Sequence, residues 1–166
     1  LWLRDMIPLP CAWLSPPGIM GIDPRPTLKM NAILIDSNIF IRLLRKNQDP
    51  MLFLDPWKRD RNFLTCGMVR MEVERGISIP AVQRRMAAFF NVMLCVPTSN
   101  QIWANATEMA WALDRRGKVL PAQDVLIAAH ALKFGGAILT SDRHFYEIPG
   151  MRVYDPAEEF PEWGGD

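Results

Sequence analysis

The stretch Ala32-Ile33-Leu34-Ile35-Asp36-Ser37-Asn38-Ile39-Phe40-Ile41-Arg42-Leu43-Leu44-Arg45 decides the fold. Its opening, Ala32 to Asp36, is short and nearly all apolar. A run of that length with no polar face predicts a strand buried on both sides, the condition of central strands in a parallel sheet. Past Asp36 the apolar positions spread to Ile39, Ile41, Leu43 and Leu44, which predicts a helix from Asn38 to Arg45. Asp36 therefore stands at the end of the strand, where the chain turns into the helix.

The same alternation runs outward from this unit. Pro50 opens a predicted helix through Trp57, Asn62 to Thr65 reads as a second strand, and Met68 to Arg75 as a helix stopped by Gly76. Pro80 starts a helix reaching about Asn91, and Leu94 to Val96 is a third strand closed by Pro97. Ser99 can cap a long helix ending near Arg116, with Gly117 behind it. Pro121 opens a helix over 121–134, ended by Gly135 and Gly136. Ala137 to Thr140 is a fourth strand and Met151 to Tyr154 a fifth. Strands alternating with helices imply right-handed crossovers. The expected class is α/β: three layers, α/β/α, around a central parallel sheet of four to five strands. No internal repeat follows residue 30.

The 166 residues suit one compact domain. Hydrophobic residues at 49% and charged ones at 22% fit a soluble globular chain, and no apolar run approaches the ~20 residues that span a bilayer. Cys11, Cys66 and Cys95 are odd in number and form no CxxC pair. They argue against a disulfide framework or zinc knot, suit a reducing cytoplasm, and read as small buried apolar side chains. A net charge of +1 excludes a uniformly basic nucleic-acid binder. Bases cluster at Lys58-Arg59-Asp60-Arg61, Arg84-Arg85 and Arg115-Arg116-Gly117-Lys118, as solvated faces or as a rim for a phosphate backbone.

Residues 1–29 differ from the rest. They hold six of the fourteen prolines, Pro8, Pro10, Pro16, Pro17, Pro24 and Pro26, which break helix and strand alike and interrupt any signal-peptide core. The expectation is an irregular extension over 1–29, with Met30 as the biological start; the competing reading is an arm that packs Trp2 and Trp13. A domain over 30–155 and a C-terminal tail over 156–166 complete the expected organisation.

In open parallel α/β sheets, ligands bind outside the carboxyl ends of the strands. Asp36 ends the first strand and Asp142 lies two residues past the fourth. Asp124 is in the first turn of the helix leading to that fourth strand, and Glu72 is on the helix after the second, able to lean back to the same edge. Four carboxylates on one rim repel one another unless a cation compensates them. Hard oxygen donors select Mg²⁺ or Mn²⁺ over soft metals, and no histidine or cysteine stands at a zinc spacing. Each acid alone has an ordinary explanation: Asp36 can cap the following helix, and Asp124 can sit at a helix N-terminus for the dipole. Their joint pattern carries the reading.

The runs Ile33-Leu34-Ile35-Asp36-Ser37-Asn38-Ile39-Phe40, Glu72-Val73-Glu74-Arg75-Gly76, Pro121-Ala122-Gln123-Asp124-Val125-Leu126-Ile127-Ala128-Ala129-His130 and Leu139-Thr140-Ser141-Asp142-Arg143-His144-Phe145 closely resemble PIN-domain nucleases. The nearest likeness is to the VapC-type toxins of bacterial toxin–antitoxin pairs, and it covers 31–155 in the family's order and spacing. The resemblance implies that Asp36, Glu72, Asp124 and Asp142 hold one or two Mg²⁺ or Mn²⁺ ions for RNA cleavage. The first three would be the ligating set proper, with Asp142 acting through water or for a second metal. It makes Asn38 and Ser141 accessory residues, Ser141 orienting a water or a carboxylate. It also implies two partners besides RNA: a small antitoxin that occludes the site, and a second copy of the chain as a homodimer. Gly67 and Arg70 depart from the family's usual segment before Glu72, and residues 1–29 have no counterpart.

Other residues carry weaker readings. Glu74 reads as a surface acid beside Arg75, and Arg70 as an exposed helical arginine. His130, six residues past Asp124, reads as a packed or partly exposed helix residue rather than a general base; His144 is the better candidate for touching RNA. Trp103 and Trp111 share a helix face, as core or interface before any base-stacking platform. Met86, Phe89, Phe90 and Met93 read as core or a groove for a partner helix. Two alternatives compete with the ribonuclease: a PIN-like binding module without turnover, and a phosphohydrolase of the haloacid-dehalogenase type. The latter needs a second aspartate two residues past the first, where this chain has Asn38.

Overall fold

Ala32–Ile35 forms β1 with all four side chains buried, as a strand with no polar face must be. The structure of the protein, a computed structural model, describes residues 31–57, 61–160 and 163. The 1–29 segment with Trp2, Trp13 and Cys11, the proposed start at Met30, and Lys58, Arg59 and Asp60 of the first basic cluster lie outside the described residues. Around β1 are β2 (Asn62–Cys66), β3 (Leu94–Val96), β4 (Ala137–Leu139) and β5 (Arg152–Tyr154), all parallel in the order β3-β2-β1-β4-β5. The five-stranded parallel sheet and its flanking helices make the three-layer α/β/α arrangement expected of the alternation. The chain leaves β1 toward β2 and β3, then crosses to the other side for β4. That reversal makes the boundary between β1 and β4 the switch point of the sheet.

Among the described residues, eight longer and shorter helical segments connect the strands, and their ends obey local chemistry. α1 (Ser37–Arg45) begins at Asp36, whose carboxylate accepts from the Ser37 N–H. α2 covers Pro50–Leu54 and gives way to a 3-10 turn over Asp55–Trp57; the continuous helix expected through Trp57 fails because Pro56 has no N–H to return to the preceding turn. α3 (Gly67–Arg75) and α4 (Pro80–Val92) follow β2. α5 (Asn100–Asp114) is capped by Ser99, and α6 is Ala122–Lys133. α5 lies along α6, α1 packs on α3, and α3 meets both α4 and α6. Among the described residues no helix is long and apolar enough to cross a membrane.

The core is aliphatic at the sheet and aromatic at its flank. Phe40 and Phe90 are fully buried and meet edge to face, with centroids 5.1 Å apart. Met86 is buried with them, so the core reading holds for both; Phe89 and Met93 are only half-buried. Trp103 and Trp111 are 54% and 60% exposed, which removes the core reading and leaves the interface one. Cys66 is buried, but Cys95 is exposed on edge strand β3. The stretch set apart as a tail contributes α7 (Pro156–Glu159), and after it Phe160 and Trp163 are buried. Phe160 stacks on Trp57 at 5.0 Å, and the Arg42 guanidinium lies 4.7 Å over the Trp163 ring. A few residues after a strand carry no period to read, so only their aromatic partners reveal that they belong to the core.

The turn into β4 requires its glycine. Gly136 has φ +70°, and a Cβ there would lie 2.9 Å from the Gly150 carbonyl oxygen. A left-handed conformation costs an L residue about 1–2 kcal/mol before any clash. Gly136→Ala should therefore destabilise the fold by about 2 kcal/mol or more, read as a lower urea midpoint at unchanged slope.

A candidate metal centre at the carboxyl edge of the sheet

The ends of β1 and β4 are locked side by side, the Asp36 N–H donating to the Leu139 carbonyl at 3.0 Å. One residue past each strand stand Asp36, 4% exposed, and Thr140, fully buried. The Thr140 hydroxyl donates to Asp36 Oδ2 at 2.7 Å, and accepts from Asn38 Nδ2 at 2.9 Å and from the Asp142 N–H at 3.0 Å. One donor and two acceptor positions are all a hydroxyl has, and all are used. This group therefore joins β1, α1 and the loop after β4 into one unit. Sequence reasoning passed over Thr140 in favour of its neighbour Ser141, which is exposed. The available signal was a β-branched hydroxyl residue closing an otherwise apolar strand.

The site is electrostatically costly as it stands. Burial pushes the Asp36 carboxyl up to about 6, and the charges of Asp124 and Glu72 push it further the same way. The bonds from Thr140 and the Ser37 N–H oppose this without cancelling it. Asp124, in the first turn of α6, is raised by burial and then by Asp142, against the bond from His144. Glu72 is half-buried on α3, which meets α6, so the helices carrying Glu72 and Asp124 sit against each other.

His144 enters this cluster directly. Its Nδ1 lies 2.9 Å from Asp124 Oδ2 and 3.4 Å from Asp142 Oδ1, and the bond to Asp124 raises its pKa. Among the described residues, Asp124, Asp142 and His144 form the group whose ligating atoms all lie within 4.8 Å of one another. Asp36 and Glu72 stand outside that triplet, and Asp36 is coupled to it by the charge of Asp124. The residues fit a hard divalent cation on two grounds. The charges of Asp124 and Glu72 raise Asp36 and that of Asp142 raises Asp124, and Asn38 Oδ1 is buried with no hydrogen-bond partner, an acceptor that a structure does not normally strand.

Two neighbouring expectations resolve differently. Arg70 and Glu74 are both half-buried and pair with each other at 3.4 Å, Glu74 also accepting from Gln83, so Arg70 is not the exposed arginine expected and the base paired with Glu74 is Arg70. His130 is completely buried, which removes the partly exposed reading. Its Nδ1 faces the Leu126 carbonyl at 2.7 Å and must carry the hydrogen, so Nε2 accepts from the Thr98 hydroxyl at 3.0 Å. Burial lowers its pKa from 6.5. As pH falls below 6.5 the unfolded chain takes up a proton that the folded imidazole resists, so this residue's contribution is present above 6.5 and lost in acid. Urea midpoints between pH 7.5 and 5.5 should drop more in the parent chain than in His130→Gln.

The comparisons agree with this architecture. The PIN domain profile matches residues 33–151. No curated protein matches by sequence. Among solved structures, the chain is similar to one of VapBC2 from Rickettsia felis bound to a DNA fragment from its promoter. There the TM-score is 0.65 at 19% identity, covering 75% of this chain and 98% of that one. It is also similar to VapBC-1 from nontypeable Haemophilus influenzae, with TM-score 0.63, 18% identity, and 75% and 97% covered. FitAcB from Neisseria gonorrhoeae gives 0.58 at 18%, with 75% and 98% covered. With the profile matching residues 33–151, which carry β1 to β4 and all four acids of the carboxyl edge, the chain belongs to the PIN domain family, and its fold is shared with these toxin–antitoxin structures.

Proposed function

We propose that this chain is a Mg²⁺- or Mn²⁺-dependent endoribonuclease acting as the toxin of a toxin–antitoxin pair. The observation that carries the reading is Asp36: a buried carboxyl, raised to about 6 by burial and by two further acids, beside a stranded acceptor. Such a group is retained at a cost that a cation offsets. Asp36, Glu72, Asp124 and Asp142 would hold the ion. A divalent cation bound there supplies charge against the negative charge developing on a phosphodiester, and a water acidic enough to lose its proton near neutrality.

The chain's own residues prepare that chemistry. Thr140 fixes Asp36 Oδ2, so this carboxylate presents one orientation. The Asp142 N–H bond to Thr140 fixes the loop after β4, and Asn38 Oδ1 offers a free acceptor to orient a water. RNA as the substrate rests on the family resemblance, as do a small antitoxin that covers the site and a second copy of the chain. The neighbouring VapBC structures support the antitoxin partner. The catalytic domain is proposed to run from residue 30 past residue 155, with Phe160 and Trp163 part of the same body.

The test is cleavage of a mixed-sequence RNA by the purified chain. Cleavage should require Mg²⁺ or Mn²⁺, stop in excess chelator and return when the cation is restored, with DNA of the same sequence spared. Cleavage that persists in chelator would overturn the reading; RNA binding without turnover would favour a binding module.

A further inference from the structure

We propose that His144 is itself a ligand of the cation, making the outer part of the centre a mixed nitrogen–oxygen site that favours Mn²⁺ over Mg²⁺. The inference rests on the metal-centre reading above and adds to it a donor that is not a carboxylate.

The spacing is the first ground. Donors in adjacent positions around an octahedral divalent ion, with bonds of roughly 2.1 Å, lie about 3 Å apart. His144 Nδ1 is 2.9 Å from one oxygen of Asp124 and 3.4 Å from one of Asp142, and all three ligating atoms fall within 4.8 Å of one another. A surface His–Asp pair needs one such contact. Here one ring nitrogen faces two carboxylates that arrive on different elements, α6 and the loop after β4.

The delivery of the ring is the second ground. The His144 N–H donates to Asp142 Oδ1 at 2.9 Å, which starts the 3-10 turn over Arg143–Glu147. The turn that orients the Asp142 carboxylate thus also delivers the imidazole. The ring is 46% exposed, so a neutral imidazole can carry its hydrogen on Nε2 toward solvent and turn the Nδ1 lone pair inward. In the structure Nδ1 lies 2.9 Å from Asp124 Oδ2. The third ground is again the stranded Asn38 Oδ1 at the inner end of the same network.

The donor chemistry sets the preference. Mg²⁺ demands oxygen in a near-ideal octahedron and sheds water reluctantly. Imidazole nitrogen suits ions further along the transition series. Mn²⁺ accepts carboxylate and imidazole together, so the nitrogen contributes to Mn²⁺ affinity and little to Mg²⁺ affinity.

Pulsed electron paramagnetic resonance of the full chain, loaded with substoichiometric Mn²⁺, reads this without reference to activity. Imidazole-nitrogen modulation of the Mn²⁺ signal is expected in the parent chain and should vanish in His144→Gln, which keeps the backbone bond to Asp142. Calorimetric titration should show Mn²⁺ binding weakened about tenfold or more in His144→Gln, with Mg²⁺ binding moved by less than about threefold. Mn²⁺ bound to the parent chain with no nitrogen coupling, or a variant with undiminished Mn²⁺ affinity, would overturn the assignment while leaving the carboxylate centre standing. A parent chain that binds no Mn²⁺ would overturn the centre and this ligand together, so the two failures are distinguishable.

Discussion

Replacing Asp36 by asparagine is expected to abolish RNA cleavage while leaving the cation-free chain at least as stable as before. Asparagine has nearly the same shape but no charge, so the group at the end of β1 can no longer hold a cation or balance its charge. A loss on the order of 10³-fold in kcat follows if Asp36 helps compensate charge developing in the transition state. Stability moves the other way. The unfolded carboxyl releases its proton near 3.8 and the folded one near 6. Folding stability is therefore lost as pH rises across that interval, by on the order of 3 kcal/mol at neutral pH. The amide removes this cost but forfeits one acceptor, since both oxygens of Asp36 are used, by Ser37 and by Thr140. That offsets about 1 kcal/mol. Thermal melts of the cation-free proteins should place Asp36→Asn at or above its parent. Added Mn²⁺ should then raise the melting temperature of the parent by more than that of the variant. Substantial cleavage by Asp36→Asn would sink the assignment of this residue.

Thr140→Val should damage both the fold and the reaction. Valine keeps the shape of threonine and removes the one hydroxyl that satisfies Asp36 Oδ2, Asn38 Nδ2 and the Asp142 N–H together. The Asp36 oxygen is deeply buried and cannot recover a water, whereas Asn38 and Asp142 are nearer solvent. A cost of about 2–4 kcal/mol is expected, set mainly by the stranded carboxylate. The bond from Thr140 also lowers the Asp36 pKa, so losing it drives that carboxyl further toward its protonated form. Because Thr140 acts by positioning ligands, activity should fall about 10–100-fold. Thr140→Ser should restore most of both. The discriminating readout is the pH–rate profile. In Thr140→Val its acid limb should shift to higher pH; a purely structural defect would lower the rate at every pH without moving the limb.

How much of this was legible in the sequence follows from the range of each interaction. β1, α1 and the other alternating elements were readable because the switch from an apolar run to helical spacing is written in consecutive residues. The apparent misreading of α2 was local too, since Pro56 is visible in the sequence. The aromatic contacts of Phe160 and Trp163 were not legible, because their partners Trp57, Phe53 and Arg42 lie about a hundred residues earlier. Exposure of Trp103 and Trp111 was equally hidden: a helix shows its apolar stripe in sequence but not which face its neighbours cover.

The sequence by itself determined that acids stand at strand ends and helix starts, and therefore that Asp36, Glu72, Asp124 and Asp142 belong to one edge of a parallel sheet. Strand direction and crossover hand are nearly fixed once the alternation is known, so the edge could be named before any coordinate. Only the tertiary structure decided how those groups engage. Thr140 bonds Asp36 across 104 positions of chain, and His144 reaches Asp124 across 20. Hydrogen bonds of that kind depend on ångström-scale placement of two separate elements, and no local spacing encodes it. The burial that raises Asp36 is likewise a property of everything packed around it, not of the residues beside it in the chain.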